Sequence, residues 1–213
     1  MRRLRRKGLT METRNQGAGR VADCLRDTNE TTIRVRLNLD DDGMRDVDTG
    51  IGFFDHMLDA FARHGKFGLD ADVLEGDRQV DGHHTVEDTG IVLGQAFARA
   101  LGDKAGIRRF GHAFVPMDEA LVMAAVDISG RGQAFYEVKP TSEWVGAFDT
   151  QLAKEFFIAF AREAGVTLHV RLIYGENSHH IIEAAFKAVG RAMREAVEMD
   201  PRESGIPSTK GVL

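Results

Sequence analysis

The sequence predicts an α+β fold made of two similar halves. Two observations predict it. Short alternating or apolar stretches of strand length are interleaved with longer stretches of helical periodicity. The order of these stretches then repeats, together with some of their residues: His-His-x-x-Glu occurs at 83–87 and at 179–183, and Ala-Phe-Ala-Arg at 60–63 and at 159–162. An offset of 96 residues lays His83, His84, Glu87, Gly94, Ala96 and Ala100 on His179, His180, Glu183, Gly190, Ala192 and Ala196, and an offset of 99 superposes the two Ala-Phe-Ala-Arg runs. A repeat of this length marks an internal duplication.

Each element has its own signal. At 31–39, Ile33, Val35, Leu37 and Leu39 alternate with polar residues, as in a half-buried strand, and Asp40-Asp41-Asp42-Gly43 reads as the turn that ends it. Residues 54–64 form a helix with Met57, Leu58 and Phe61 on its apolar face, and 68–74 a second strand. Residues 83–101 form a helix burying Val86, Leu93, Phe97 and Leu101. Strands follow at 120–128 and 133–138, then a helix at 150–164, a strand at 167–173 and a helix at 178–197. The expected organisation is a basic extension over 1–20, a first α+β half over 21–110 and a second over 111–213.

Composition narrows the function. A formal net charge of -5 gives no electrostatic footprint for nucleic acid, and no apolar run is long enough to span a bilayer. Cys24 is the only cysteine, so neither an intrachain disulfide nor a Cys-rich zinc site can form. The first 20 residues carry Arg2, Arg3, Arg5, Arg6, Lys7, Arg14 and Arg20 against Glu12 alone, with no apolar stretch behind them. That pattern is not a secretory signal; it reads as a disordered tail, a start upstream of a true first residue at Met11, or a transit segment.

The repeated pentad carries the chemistry. On a helix, His83 and Glu87 share a face, as do His179 and Glu183, while His84 and His180 point roughly 100° away. One pair can grip one metal while the neighbouring histidine faces another. The 99-residue offset adds His56 and Glu155 at equivalent helix positions. The ligand inventory is then His56, His83, His84, Glu87, Glu155, His179, His180 and Glu183, enough for two six-coordinate ions. Imidazole with carboxylate and no thiolate suits manganese(II), iron(II) or nickel(II). The competing reading is a pair of polar helix starts capped by Asp81 and Ser178. His112 and His169 read as surface or structural histidines, and His64 as a residue suited to a helix C-terminus or to substrate.

Three basic residues sit among small neighbours: Arg109 in Arg-Arg-Phe-Gly, Arg131 in Ser-Gly-Arg-Gly and Lys210 in Pro-Ser-Thr-Lys-Gly, with Ser208 beside the last. Such residues can approach a phosphate closely. Beside a metal site they point to an anionic substrate.

The segments 48–58, 82–88, 109–111, 116–120, 127–131, 176–183 and 207–213 together resemble the imidazoleglycerol-phosphate dehydratase family of histidine biosynthesis, over residues 21–213. The resemblance implies two halves, each a four-stranded sheet backed by two helices (ribosomal protein S5 domain 2-like). It implies a cytoplasmic homo-oligomer of 24 subunits built from trimers, with active sites at subunit contacts. It also implies two manganese(II) ions per active site, held by the eight ligands above. The substrate is then a small phosphorylated imidazole diol, contacted by Glu30, His56, His64, Arg109, Arg131, Lys187, Ser208 and Lys210, with no nucleic-acid or membrane partner. The expected chemistry is loss of water through an imidazolate and a diazafulvene-like intermediate, with Glu30, Glu87 or Glu183 as the catalytic base. The alternatives are a metal-dependent phosphoester hydrolase and a metal-storage or metal-sensing protein.

Overall fold

A computed structural model describes residues 19–213. Of the basic stretch at the start, residues 1–18 lie outside the described ones. Arg20 is part of the fold: its backbone and guanidinium bind Asp40, and its Nη1 donates to the carbonyl of Val197.

The first half runs β1 (Val21–Asp27), β2 (Thr31–Asn38), β3 (Arg45–Asp48), α1 (Gly52–Gly65), β4 (Gly68–Gly76) and α2 (His83–Leu101). The second runs β5 (Phe110–Met117), β6 (Ala120–Asp127), β7 (Gln133–Glu137), a small hairpin of β8 (Trp144–Val145) and β9 (Phe148–Asp149), α3 (Leu152–Ala164), β10 (Thr167–Tyr174) and α4 (Ser178–Val197). The two four-stranded sheets have the same topology, β1-β2-β4-β3 and β5-β6-β10-β7. In each, the outer pairings are an antiparallel hairpin at one edge and a parallel pair joined through a helix at the other. The α+β architecture with two similar halves is as the sequence predicts.

Strand register extends the duplication beyond the helices. Leu37 pairs with Leu69 and Val35 with Ala71, as Val126 pairs with Leu168 and Ala124 with Val170. Since Leu69 and Ala71 fall on Leu168 and Val170 at the 99-residue offset, β2 falls on β6 at an offset of 89, which places Thr31 on Ala120 and Glu30 on Glu119. The change from 89 to 99 is the β8–β9 insertion. The change from 99 to 96 is the longer loop 77–82 of the first half against 175–177 of the second.

The halves interlock through their helices: α1 packs on α4, and α2 on α3. The matched residues of the sequence are partners across this contact. A Cβ on Gly190 would lie 2.4 Å from the Phe61 carbonyl oxygen, and one on Gly94 2.7 Å from that of Phe160. Only a missing side chain allows so close an approach, so each Gly accommodates the Ala-Phe-Ala-Arg helix of the other half. Phe54, Phe61, Phe97, Phe156, Phe157, Phe160 and Phe186 fill the space between, all fully buried and in edge or stacked contacts.

Candidate metal centre

The interlocking of halves builds the site. His56 enters on α1 of the first half, and His179 and Glu183 on α4 of the second. One ligand atom from each lies within 4.8 Å of the others. The turn from Glu183 to His179 has a short contact, 3.1 Å between Nε2 and Oε2, and His56 Nε2 is 3.6 Å from the same oxygen. Among the described residues this is the one His/Cys/Asp/Glu group of such geometry.

Glu183 is 6% exposed, and a buried carboxylate needs compensation. Burial opposes its ionisation, but Lys187 Nζ donates to Oε1 at 2.6 Å. That bond, with the charges of Lys187, His56 and His179, holds the pKa below the ordinary value. Lys187, expected to meet substrate, is thus occupied by Glu183. Its first-half counterpart at the 96-residue offset is Ile91, so Glu87 lacks this support.

The first-half copy is looser. His83 Nε2 lies 3.6 Å from Glu87 Oε2, and both residues are about a third or more exposed. Glu155 is half-buried on α3, where the repeat places it, but it forms no three-ligand group with them in this chain. The helix starts also differ from the expectation. Asn177, not Ser178, caps α4, accepting from the backbone N–H groups of His179 and His180; Ser178 Oγ instead accepts from the Ser142 N–H. Gly82 occupies the cap position of α2, and Asp81 accepts from the His83 N–H.

The second histidine of each pair is held by a carboxylate. Asp77 Oδ2 lies 2.7 Å from His84 Nδ1, and Glu119 Oε2 lies 2.7 Å from His180 Nδ1. The hydrogen bond in each case raises the histidine pKa above its ordinary value. Glu119 is itself pushed down to about 2 by the backbone N–H of Asn177 and by His180. Glu30 Oε2 stands 3.9 Å from His84 Nδ1 and is 56% exposed. Periodicity could not have flagged Asp77 or Glu119, because both lie in loops; only a search for carboxylates able to reach a motif histidine would have.

The basic residues gather elsewhere. Arg109 donates from Nε to Asp127 at 2.7 Å and from Nη1 to the Pro207 carbonyl at 2.9 Å, while Arg131 Nη2 lies 3.7 Å from Asp127. Ser208 Oγ accepts from the Lys210 N–H, and the C-terminus returns to Gly130. Arg109 adopts a left-handed φ of 70°, an unfavourable conformation for this side chain. His64, half-buried, lies roughly 12 Å along α1 from His56 at ~1.5 Å per residue, beside Lys187 and Arg191. Burial and these charges lower its pKa. It lines a cavity of about 430 Å³ with Lys66, Arg108, His112, Arg191 and Arg194. No helix among the described residues is long and apolar enough to cross a membrane.

A duplicated α+β fold whose halves together converge two imidazoles and a buried carboxylate defines a candidate metalloenzyme. Comparison with known proteins makes the class specific. The family model for imidazoleglycerol-phosphate dehydratase matches residues 49–193. The imidazoleglycerol-phosphate dehydratase of Gluconacetobacter diazotrophicus is 60% identical over 195 residues, 91% of this chain and 98% of that one. That of Lacticaseibacillus casei is 56% identical over 194 residues, 91% of this chain and all of the relative. Among solved structures, the imidazoleglycerol-phosphate dehydratase of Staphylococcus aureus superposes with a TM-score of 0.77 at 38% identity, covering 84% of this chain and 99% of that one. The Pyrococcus furiosus enzyme, solved with (S)-C348, gives the same score and identity over 89% and 99%. The protein belongs to the imidazoleglycerol-phosphate dehydratase family, and is a hydro-lyase of histidine biosynthesis. That membership sets aside the storage and phosphoester-hydrolase readings.

Proposed function

We propose that the protein converts D-erythro-1-(imidazol-4-yl)glycerol 3-phosphate to 3-(imidazol-4-yl)-2-oxopropyl phosphate and water, with two manganese(II) ions per active site, in the cytoplasm. The observation that carries the metal dependence is the His56, His179 and Glu183 group. Its donors are two neutral-capable imidazoles and one carboxylate, without thiolate, and a nearly buried Glu183 held ionised suits a divalent cation. His83, Glu87 and Glu155, with His84 and His180, would supply the remaining ligands once copies of the protein meet. Bound there, manganese would act as a Lewis acid toward the ring nitrogens and the departing hydroxyl.

The protein's own groups do the rest. The carbon-bound hydrogen next to the leaving hydroxyl is not acidic, so a carboxylate must be placed to take it as a proton when the hydroxyl departs and an enol forms. Glu183 is engaged by Lys187 and His179, and Glu87 faces His83. Glu30 stands at the edge of the His84 group with its carboxylate open to solvent and no hydrogen bond to it among the described residues, which makes it the base we favour. Arg109, Arg131, Ser208 and Lys210 would bind the phosphate.

One subunit does not hold ring and phosphate together. Arg109 and Asp127 sit at one end of the β5–β6 hairpin, and Glu119 with His180 at the other. At ~3.4 Å per residue the strand separates them by roughly 24 Å, whereas three carbons separate the substrate's ring from its phosphate ester. On this reading the phosphate-binding residues of one copy serve the histidines of another, which supports shared sites in an oligomer, here proposed as 24 subunits built from trimers. The outer face of the second sheet, with Phe110, Phe114 and Phe135 exposed, offers apolar surface for such contacts.

The test is an assay of purified protein with the imidazole glycerol phosphate. Manganese-loaded protein is expected to yield the ketone, and chelated protein to lose that activity until manganese is returned. Full turnover by metal-free protein would overturn the proposal.

A further inference from the structure

Both motif copies end with the same local arrangement: the second histidine has its Nδ1 against a carboxylate oxygen at 2.7 Å, with Nε2 on the far side of the ring. The two carboxylates are not related by the duplication. Glu119 immediately precedes β6, where the first half has Glu30 before β2, by strand register. Asp77 opens the loop 77–82, whose second-half equivalent is three residues shorter. An inherited contact would use matched residues. Here two different loops supply the same bond to matched histidines, which ties the bond to what the histidines do rather than to ancestry.

We infer that Asp77 and Glu119 are positioning residues for the metal centre: each accepts the Nδ1–H of its histidine, fixes that tautomer, and leaves the Nε2 lone pair, which in His180 stands 3.6 Å from Asp118 Oδ2, for a divalent cation. The inference rests on the reading of His84 and His180 as ligands. Carboxylate on one ring nitrogen and metal on the other is the arrangement by which a protein orients a histidine ligand and raises its basicity. The two carboxylates are secured differently. Glu119 Oε1 also accepts the backbone N–H groups of Asn177 and Glu176, at 2.7 and 3.1 Å, so it locks the start of α4 as it holds His180. Asp77 is largely buried, and its second oxygen has no partner among the described residues. The division has a consequence for Glu30. In the second half the glutamate before the inner strand is committed to histidine. In the first half Asp77 takes that place, and Glu30, 3.9 Å from the same Nδ1, is left free for substrate.

Two measurements on the apo-protein test this. The first is manganese affinity, by competition with a chelator, for Asp77→Ala, Glu119→Ala, Asp77→Asn, His84→Ala and His180→Ala in the assembled protein. Removing either carboxylate is expected to weaken binding about 10- to 100-fold, and Asp77→Asn, which keeps an acceptor for Nδ1–H, to recover part of the loss. The second is ¹⁵N NMR of histidine-labelled protein above the imidazole titration range, with His84→Ala identifying the His84 signal. The wild type should show His84 protonated on Nδ1, and Asp77→Ala should move the proton to Nε2, a change that general loosening of the fold would not direct. Unchanged affinity and tautomer in Asp77→Ala and Glu119→Ala, with His84→Ala and His180→Ala weakened, would overturn the positioning role. Unchanged affinity in His84→Ala and His180→Ala would overturn the ligand reading itself, and the inference with it.

Discussion

Gly190→Ala should destabilise the protein although alanine is the better helix former. The added Cβ would lie 2.4 Å from the Phe61 carbonyl oxygen and 3.3 Å from the Gly65 nitrogen, both backbone atoms of α1 that cannot rotate aside. Reaching an ordinary contact of about 3.4 Å requires α1 and α4 to separate by about 1 Å. Overpacking of this kind costs about 1–3 kcal/mol, occasionally more, and the gain in helix propensity returns about 1 kcal/mol. The difference is a net loss of up to about 2 kcal/mol, and because the clash is with backbone atoms the upper end applies, a fall in Tm of about 4–8 °C for a protein of this size. Gly94→Ala, 2.7 Å from the Phe160 carbonyl oxygen, should behave alike at the α2–α3 contact. Gly52→Ala is the control, with nothing within 4 Å of its Cβ. Because α1 carries His56 and α4 carries His179 and Glu183, while α2 carries His83 and Glu87 and α3 carries Glu155, both variants should also weaken metal binding. Thermal unfolding by circular dichroism and a metal titration read both effects. A Tm for Gly190→Ala at or above wild type would refute the account of how the halves interlock.

Three further outcomes follow from the site. In Lys187→Met, burial would act on Glu183 with only His56 and His179 left to oppose it and would raise its pKa, so manganese affinity should fall most at the acid end of a pH series; an unchanged pH profile would contradict the assigned role of Lys187. In apo-protein, His84 and His180 have raised pKa values. Their carboxylate contacts therefore stabilise fully below the unfolded value of about 6.5, and that stabilisation is lost as pH rises through the folded values. The Tm of apo-protein should thus decline as pH rises past about 6.5 while that of manganese-loaded protein does not, since metal prefers the unprotonated ring; parallel profiles would contradict this. Lys210→Ala should raise KM with little change in metal affinity, because its ammonium would bind the phosphate and cannot ligate a cation, and an unchanged KM would remove it from the phosphate site.

Much of this was legible in the sequence because two signals were strong. Helices α2 and α4 carry long apolar stripes beside a repeated motif, and the structure begins and ends both where the periodicity does. The alternation of Ile33, Val35 and Leu37 marked β2. Strand β5 escaped because its pattern is inverted: Gly111, Ala113 and Val115 point inward, and Phe110 and Phe114 outward. The reason lies in α4, which comes so near that a Cβ on Gly111 would sit 2.0 Å from the Ala192 carbonyl oxygen. Strand β1 escaped for a related reason, burying fully only Cys24 while Val21 and Leu25 face out. Strand β3 is four residues long, and β8 and β9 two each, too short for any periodic signal. In the site, the i,i+4 spacing announced His179 with Glu183, and the repeat announced His56. Glu155 was announced by the same logic but stands apart from any complete group within one subunit. The supports Asp77 and Glu119 were hidden because contacts from loops leave no spacing to read.

The central claim is that the duplicated pentad, with His56, builds a metal centre for the dehydration. Anomalous diffraction from crystals of the manganese-loaded protein tests it most directly. The account predicts manganese peaks within coordinating distance of His56, His179 and Glu183, and at the Nε2 atoms of His84 and His180, with Arg109 and Lys210 of a neighbouring copy facing them. A catalytically active crystal form with no metal at His56, His179 and Glu183 would contradict it.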